Sequence, residues 1–429
     1  MLSFEAARAR VIEILGERAC SPATETLDLA SEPSRALGRI LAEDVAADRN
    51  YPPFNRSIRD GFALRAADAA EPGARLKLIG ESRAGVAFNG ALGAGECIRI
   101  LTGAPLPRGA NSVMMHEFTR TDGDVVFFEQ AARVGQHYVL AGAEARVGEV
   151  VVPRGTRLGY ADLAMAAEVG RARIAVYRKP RVAILSTGDE LVSVGEAVGP
   201  FQIRNSNNIS LAAQVTLAGG EPLLSGNARD EVAQLRERFE QALEADMLVI
   251  SGGVSAGKYD LVEKVLEELG AEFFFDAVAL RPGKPTVFAW CRGKPVFGLP
   301  GNPVSTMVTF ELFASPAVEI LSGYAARPLP LFRAKLAHPI NEKGGVAHFL
   351  PARVSWRTDA APATARPTNF APPVAEPPTA EPIVEVLLWE GSGDIGAVVR
   401  GNCYLVVRPS RLRIDAGEWV DVLPRRGAF

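Results

Sequence analysis

A strand running into a glycine- and serine-rich loop, which in turn opens a helix, is the feature that most constrains this chain. The loop is Ser251-Gly252-Gly253-Val254-Ser255-Ala256-Gly257-Lys258-Tyr259-Asp260. It follows Met247-Leu248-Val249-Ile250, an apolar run of buried-strand type, and precedes residues 261–269, whose apolar positions recur at helical spacing. Glycines let backbone N–H groups approach an anion closely, and a helix start adds unpaired donors and a positive dipole end. In open α/β sheets ligands bind at this end of the strands. Taken alone, the loop reads equally well as a plain turn with an N-cap. Two more loops of the same kind favour a ligand site.

The first follows the strand at residues 182–185 and reads Ser186-Thr187-Gly188-Asp189-Glu190-Leu191. The other, Leu299-Pro300-Gly301-Asn302-Pro303-Val304-Ser305, opens a helix through Leu321. Between them the pattern predicts helices over 207–218 and 231–243 and strands over 221–224 and 273–280, the last ending in Arg281-Pro282-Gly283-Lys284-Pro285. A hairpin over 286–298 turns at Arg292-Gly293. Strands alternating with crossover helices predict a doubly wound, mainly parallel sheet.

The flanks differ. Residues 2–20 place Phe4, Ala7, Val11, Ile14 and Leu15 on one helical face, and 37–41 read as a second, short helix. Asn50-Tyr51-Pro52-Pro53-Phe54-Asn55 breaks regularity. Residues 50–137 are β-rich, with loops at 55–63 and 101–107 that are also ordinary turn chemistry. Residues 138–178 are mixed, with a helix over 159–169 and a strand over 174–177. After Arg327-Pro328, short strands predict a small barrel. They are interrupted at 358–382 by an Ala-, Pro- and Thr-rich surface excursion.

Composition excludes several classes. A length of 429 residues allows about three domains, and a formal net charge of −3 speaks against a nucleic-acid binder. Cys20, Cys97, Cys291 and Cys403 form no Cys-x-x-Cys pair, and His116, His137, His338 and His348 show no ligand spacing. A zinc site or disulfide framework is not expected, and a reducing cytoplasm fits. No apolar run is read as membrane-spanning, and the N-terminus has no signal-peptide h-region.

The three loops converge at one sheet edge. Asp189 and Glu190 beside an anion loop suit Mg²⁺ held with substrate phosphates. Arg281 and Lys284, bracketing Gly283, suit an oxyanion. Taken singly, each acid could be a helix cap and each cation a solvated charge. Together they describe an active site.

These residues resemble a known family. Ser-Thr-Gly-Asp-Glu-Leu at 186–191, Ser-Gly-Gly-Val-Ser-x-Gly at 251–257, Pro-Gly-Lys-Pro at 282–285 and Gly-Leu-Pro-Gly-Asn-Pro-Val-Ser at 298–305 are similar to motifs of the molybdopterin molybdenumtransferases, MoeA and the gephyrin E domain. Asp60-Gly61-Phe62-Ala63, Thr102-Gly103-Ala104-Pro105 and Gly391-Ser392-Gly393-Asp394 match as well, in the family's order. The resemblance implies a multidomain α/β plus β fold. Residues 1–49 with 138–178 would form a linker and dimerisation domain, and 50–137 a β-rich inserted domain. Residues 179–325 would form a MogA-like doubly wound domain, and 326–429 a small β-barrel.

The resemblance further implies a cytoplasmic homodimer that inserts molybdate into adenylylated molybdopterin, with Mg²⁺-dependent release of AMP. An adenylyltransferase and molybdoenzymes would be its protein partners. It assigns catalysis to Asp60, Thr102, Glu144, Asp189, Glu190 and Asp230, with Asp189 and Glu190 on the metal and Asp60 and Thr102 supplied by the partner subunit. Substrate contacts fall to Ser186, Thr187, Gly188, Ser251, Gly252, Gly253, Ser255 and Asp260. They continue through Arg281, Lys284, Pro285, Pro300, Asn302, Pro303 and Ser305, with Arg353 and Ser392 from the last domain.

Several positions depart from the family pattern. Arg59 stands where Met is usual, Gly142-Ala143-Glu144 where Gly-Glu-Asp is, Asn205 where an acid is, and Arg281 where Lys is. They keep open a carrier or scaffold that binds pterin nucleotide without turnover, and a tungstate-inserting variant. A molybdopterin adenylyltransferase is a further alternative.

Overall fold

The computed structural model describes residues 1–19, 22–253, 261–342, 344–357, 380–411 and 413–428. The chain forms two compact units, one of Met1–Glu25, Gly38–Ile40 and Val176–Phe429, the other of Thr26–Leu37 and Leu41–Ala175.

The first unit is built on a six-stranded sheet in the order Glu221–Ala228, Arg181–Thr187, Met247–Ser251, Lys294–Leu299, Val287–Cys291, Glu272–Phe275. The first four strands are parallel and the last two join antiparallel. Arg181–Thr187, Met247–Ser251 and Lys294–Leu299 are buried almost throughout, as strands covered on both faces must be. The hairpin turns on Arg292 (φ 50°) and Gly293 (φ 79°), the two positive φ values that a two-residue turn needs.

One face carries the Pro303–Leu321 helix and, packed on it, the Phe4–Arg18 helix, which Ser3 caps through Ala6 N. Phe4 meets Phe349 edge to face at 5.2 Å. Its five predicted apolar positions are all buried. Pro303–Leu321 is long and apolar enough to cross a membrane by length and composition, which corrects the expectation that no run is. Here 83% of it is buried inside the protein, because it is the core helix of the sheet. Its middle, Phe310–Ala314, is π-helical just before Pro316. Proline has no N–H to give the Leu312 carbonyl. Arg8 takes that carbonyl instead, at 2.8 Å.

The predicted strand over 273–280 is broken. Glu272–Phe275 stays on the α/β sheet, whereas Leu280–Arg281 pairs in parallel with Ala347–His348 in the C-terminal sheet. Chain reversal is local, with the Leu280 N–H on the Val278 carbonyl. The C-terminal strands close as expected: Ala347–Arg357, Glu381–Val386, Phe332–Leu336, Trp419–Pro424 and Cys403–Val407 return to Ala347–Arg357, a five-strand barrel without free edges. Most of the Ala- and Pro-rich excursion lies outside the described residues.

The second unit holds a six-stranded sheet in the order Ser112–Met115, Gly61–Leu64, Glu96–Ile100, Ala74–Ser82, Val125–Phe128, Thr119–Asp122, with the Tyr160–Glu168 helix further along the chain. The short helix predicted at 37–41 is instead Pro33–Ala36. Proline suits its first turn, and Gly38 at φ +76° has already left helical space.

Arg426, from the chain's last segment, bonds Glu311, Glu319 and Ser315 on the core helix at 3.0, 3.0 and 2.7 Å. Burial pushes the Glu311 carboxyl up against the pull of Arg426. Arg426→Ala leaves two buried acids without their shared cation. It should lower stability in urea unfolding by roughly 3 kcal/mol.

Candidate active site

Three neighbouring parallel strands end level with one another, with Ser186 opposite Ser251 and Ser251 opposite Leu299. In chain order the sheet runs second, first, third strand, so the topological switch falls between Arg181–Thr187 and Met247–Ser251. Crevices form there because crossovers leave the sheet in opposite directions. A cleft of about 720 Å³ opens at this point, lined by all three predicted loops.

Its floor is a close approach of backbones. Gly252 sits at φ +93° and Gly253 at φ +65°. A Cβ on Gly252 would lie 2.6 Å from the Thr187 carbonyl oxygen. One on Gly253 would lie 2.6 Å from both Thr187 Oγ1 and Val262 Cγ2. Side chains are therefore excluded where the first and second loops meet. Thr187 is buried, and its Oγ1 has no partner among the described residues.

Sequence reasoning missed the asparagines behind this floor. Asn205 Nδ2 donates to Asn227 Oδ1 (2.5 Å), and Asn205 Oδ1 accepts from the Asn208 N–H (3.1 Å). Ser186 Oγ donates to Asn208 Oδ1 (2.6 Å), which ties Ser186 to the helix start. Asn207 Nδ2 donates to Ser251 Oγ and to the Gly301 carbonyl, both at 2.7 Å, tying the second loop to the third. The signal was present as a run of cap-type residues, Asn205-Ser206-Asn207-Asn208, before an apolar helical pattern.

The acids meet at one side. Glu190 lines the cleft, Asp189 precedes it, and Asp230 enters from the loop after Glu221–Ala228. Asp230 is held above the usual carboxylate range, by burial first and then by the charges of Asp189 and Glu190. Among the described residues no three His, Cys, Asp or Glu side chains form a cage that could hold a metal by itself. The donor set is hard oxygen and incomplete, which suits Mg²⁺ shared with substrate phosphates.

The basic side differs from expectation. Pro285, Pro300, Asn302 and Pro303 line the cleft, but Arg281 and Lys284 do not; both are exposed beside it. Arg281 is diverted because its strand pairs with the C-terminal sheet. Gly283 (φ +114°) lets the turn press on the core helix, where a Cβ would meet Thr309 Cγ2 at 2.4 Å. Asn302 Nδ2 donates to Ser392 Oγ (2.9 Å), and the Val304 N–H bonds the Ser392 carbonyl (2.9 Å). The structure thus brings Ser392 to the third loop. Ser305 is buried under the same turn and gives its carbonyl to Thr309. Arg353 is elsewhere engaged, its Nε donating to the Arg400 carbonyl at 2.9 Å. Ser255 and Asp260 lie outside the described residues.

Asp60, Thr102 and Glu144 belong to the second unit. Asp60 Oδ1 accepts from Thr102 N (2.6 Å) and Thr102 Oγ1 (2.9 Å). These bonds hold the Asp60 carboxyl below its usual range. Glu144 pairs with Arg56 at 2.7 Å.

Asp230 gives a pH-dependent test. A carboxyl whose folded pKa is raised keeps its proton more tightly in the folded state, so ionising it as pH rises costs stability. Asp230→Asn should therefore leave thermal stability unchanged or slightly higher above that pKa. In the unsubstituted protein, Mg²⁺ binding by calorimetry should strengthen as pH rises through the Asp230 titration and release a proton. A pH-independent affinity would remove Asp230 from the cation's surroundings.

Two family descriptions match the chain: "MoeA N-terminal region (domain I and II)" over residues 2–170 and "Probable molybdopterin binding domain" over residues 183–320. A molybdopterin molybdenumtransferase of Nostoc sp. is 38% identical over 73% of this chain and 73% of its own length. One from Staphylococcus aureus strain Mu50 is 30% identical over 91% of this chain and 89% of its own. Among solved structures, a molybdopterin biosynthesis MoeA protein from Pyrococcus horikoshii superposes with a TM-score of 0.76 at 30% identity, covering 100% of both chains.

Proposed function

As a member of the molybdopterin molybdenumtransferase family the protein is a transferase of molybdenum cofactor biosynthesis, and we propose that it inserts molybdate into adenylylated molybdopterin with Mg²⁺-dependent release of AMP. The observation that carries this reading is the switch-point cleft, which Gly252 and Gly253 line together with Glu190 and Asp230, with Asp189 close enough to act on Asp230.

In this reading Gly252 and Gly253 admit the substrate's phosphates to the strand ends, and Thr187 Oγ1, a donor without a partner among the described residues, bonds a phosphate oxygen. Asp189 and Glu190 would hold Mg²⁺ together with the pyrophosphate, with Asp230 beside them. The ion would supply neutralising charge as the phosphate bond breaks. Lys284 and Arg281, exposed beside the cleft, attract the molybdate dianion as solvated cations, and Asn302 and Ser392 fix the third loop that receives it. Arg281 can grip two oxygens at once, which Lys cannot. The protein is proposed to be cytoplasmic and a homodimer. Asp60 and Thr102, already bonded as a rigid pair, would then act in the partner's site.

The test is AMP release from adenylylated molybdopterin with molybdate and Mg²⁺. Asp189→Asn should lower the rate by about a hundredfold with unfolding unchanged. Lys284→Ala should weaken molybdate binding by about tenfold. An unchanged rate in Asp189→Asn would remove the acids from the mechanism. Loss of AMP release in every form, with pterin nucleotide still bound, would favour the carrier reading that Asn205 and Glu144 kept open.

Shared sites have their own consequence. Verified mixed dimers of Asp60→Ala and Lys284→Ala chains should regain about a quarter to a half of the activity, since one of two sites is then intact. Mixed dimers as inactive as their parents would place each site within one chain.

A further inference from the structure

Asn207 opens the Asn207–Ala218 helix in the wall of the cleft, with only 9% of the residue exposed. Its amide has a fixed sense. Both Nδ2 hydrogens are spent, one on Ser251 Oγ and one on the Gly301 carbonyl. A carbonyl can only accept, so turning the amide over would set two acceptors against each other. Oδ1 is therefore held as an acceptor on a residue that lines the cleft, and among the described residues no group bonds it. Phosphate, molybdate and carboxylate oxygens cannot satisfy it, because they are acceptors too. The group that completes it must be a hydrogen-bond donor or a cation.

We propose that Asn207 is a specificity-determining residue whose Oδ1 accepts a hydrogen bond from an uncharged N–H or O–H donor on the organic part of the substrate. The proposal rests on the transferase reading of the cleft. That substrate class carries such donors on its amino-substituted heterocycles and on ribose. A buried acceptor built for a donor rejects an analogue lacking it, because the acceptor is then dehydrated without compensation. The same contact orients the substrate. The amide that reads the donor also clamps Ser251 to Gly301, so the loops that flank the phosphates and the group that reads the base share one side chain.

The experiment is a calorimetric series on the full chain with two families of probes. AMP is compared with IMP, 2′-deoxy-AMP and 3′-deoxy-AMP, and pterin with lumazine, which replaces the amino group by a carbonyl. In the unsubstituted protein one analogue should bind about tenfold more weakly than its parent, and which one identifies the heterocycle or the ribose as the source of the donor. In Asn207→Ala that discrimination should vanish, parent and analogue binding alike. A merely structural role would weaken every probe by the same factor and leave the discrimination intact, which would overturn the proposal. If Asn207→Ala does not fold, the unsubstituted series still decides, since equal affinity for parent and analogue in both families overturns the proposal alone. Weakened Mg²⁺ binding in Asn207→Ala with discrimination retained would also overturn it, by making the side chain a metal ligand. If neither AMP nor pterin binds the unsubstituted protein, the transferase reading of the cleft fails and takes this proposal with it.

Discussion

Everything at the site depends on how closely two backbones approach each other. Thr187 and Gly252 end adjacent parallel strands, and a single added Cβ at Gly252 would stand 2.6 Å from the Thr187 carbonyl. Positive φ at both loop glycines then keeps the chain low over the sheet edge. What results, among the described residues, is a floor of backbone at Gly252 and Gly253 with the buried Thr187 hydroxyl beside it. An anion-binding floor needs that emptiness, since N–H groups reach phosphate only if nothing projects between them.

The surrounding structure fixes that floor. The Asn207 amide ties loop to loop, and Asn302 with Ser392 ties the third loop to the C-terminal segment. Pro316 leaves the Leu312 carbonyl without its helical partner, and Arg8 takes it up, while Arg426 pairs the buried Glu311 and Glu319 carboxylates. Polar groups buried this deeply are stable only when their partners are complete. Asn207 Oδ1 and Thr187 Oγ1 stand out against that background, because both belong to residues that line the cleft and neither has a partner among the described residues.

Much of this was legible beforehand. The three strands, their loops and the Asn207–Ala218 helix follow from apolar runs and breaker residues, since strands covered on both faces leave little choice of composition. Barrel closure followed from a series of short strands after residue 328. Other features were not legible. Residues 273–280 look like one strand because each half is apolar, and only the tertiary pairing of Leu280 with Ala347 shows the break. For the same reason Arg281 and Lys284 were read as facing the rim, although neither lines the cleft. The Asn205–Asn208 run was seen only as one departure from a family acid. Its role as a hydrogen-bond network depends on Ser186, Asn227, Ser251 and Gly301, which are remote in sequence.

In the proposed function this cleft would couple release of the nucleotide to capture of the metal oxyanion. A single-turnover reaction with adenylylated molybdopterin and molybdate, read simultaneously for free AMP and for molybdenum retained on the pterin, tests it directly. The account predicts that the two products appear together in equal amounts, and that neither appears when molybdate is left out. AMP released without molybdenum retention, or molybdenum retained with the nucleotide still attached, would contradict it.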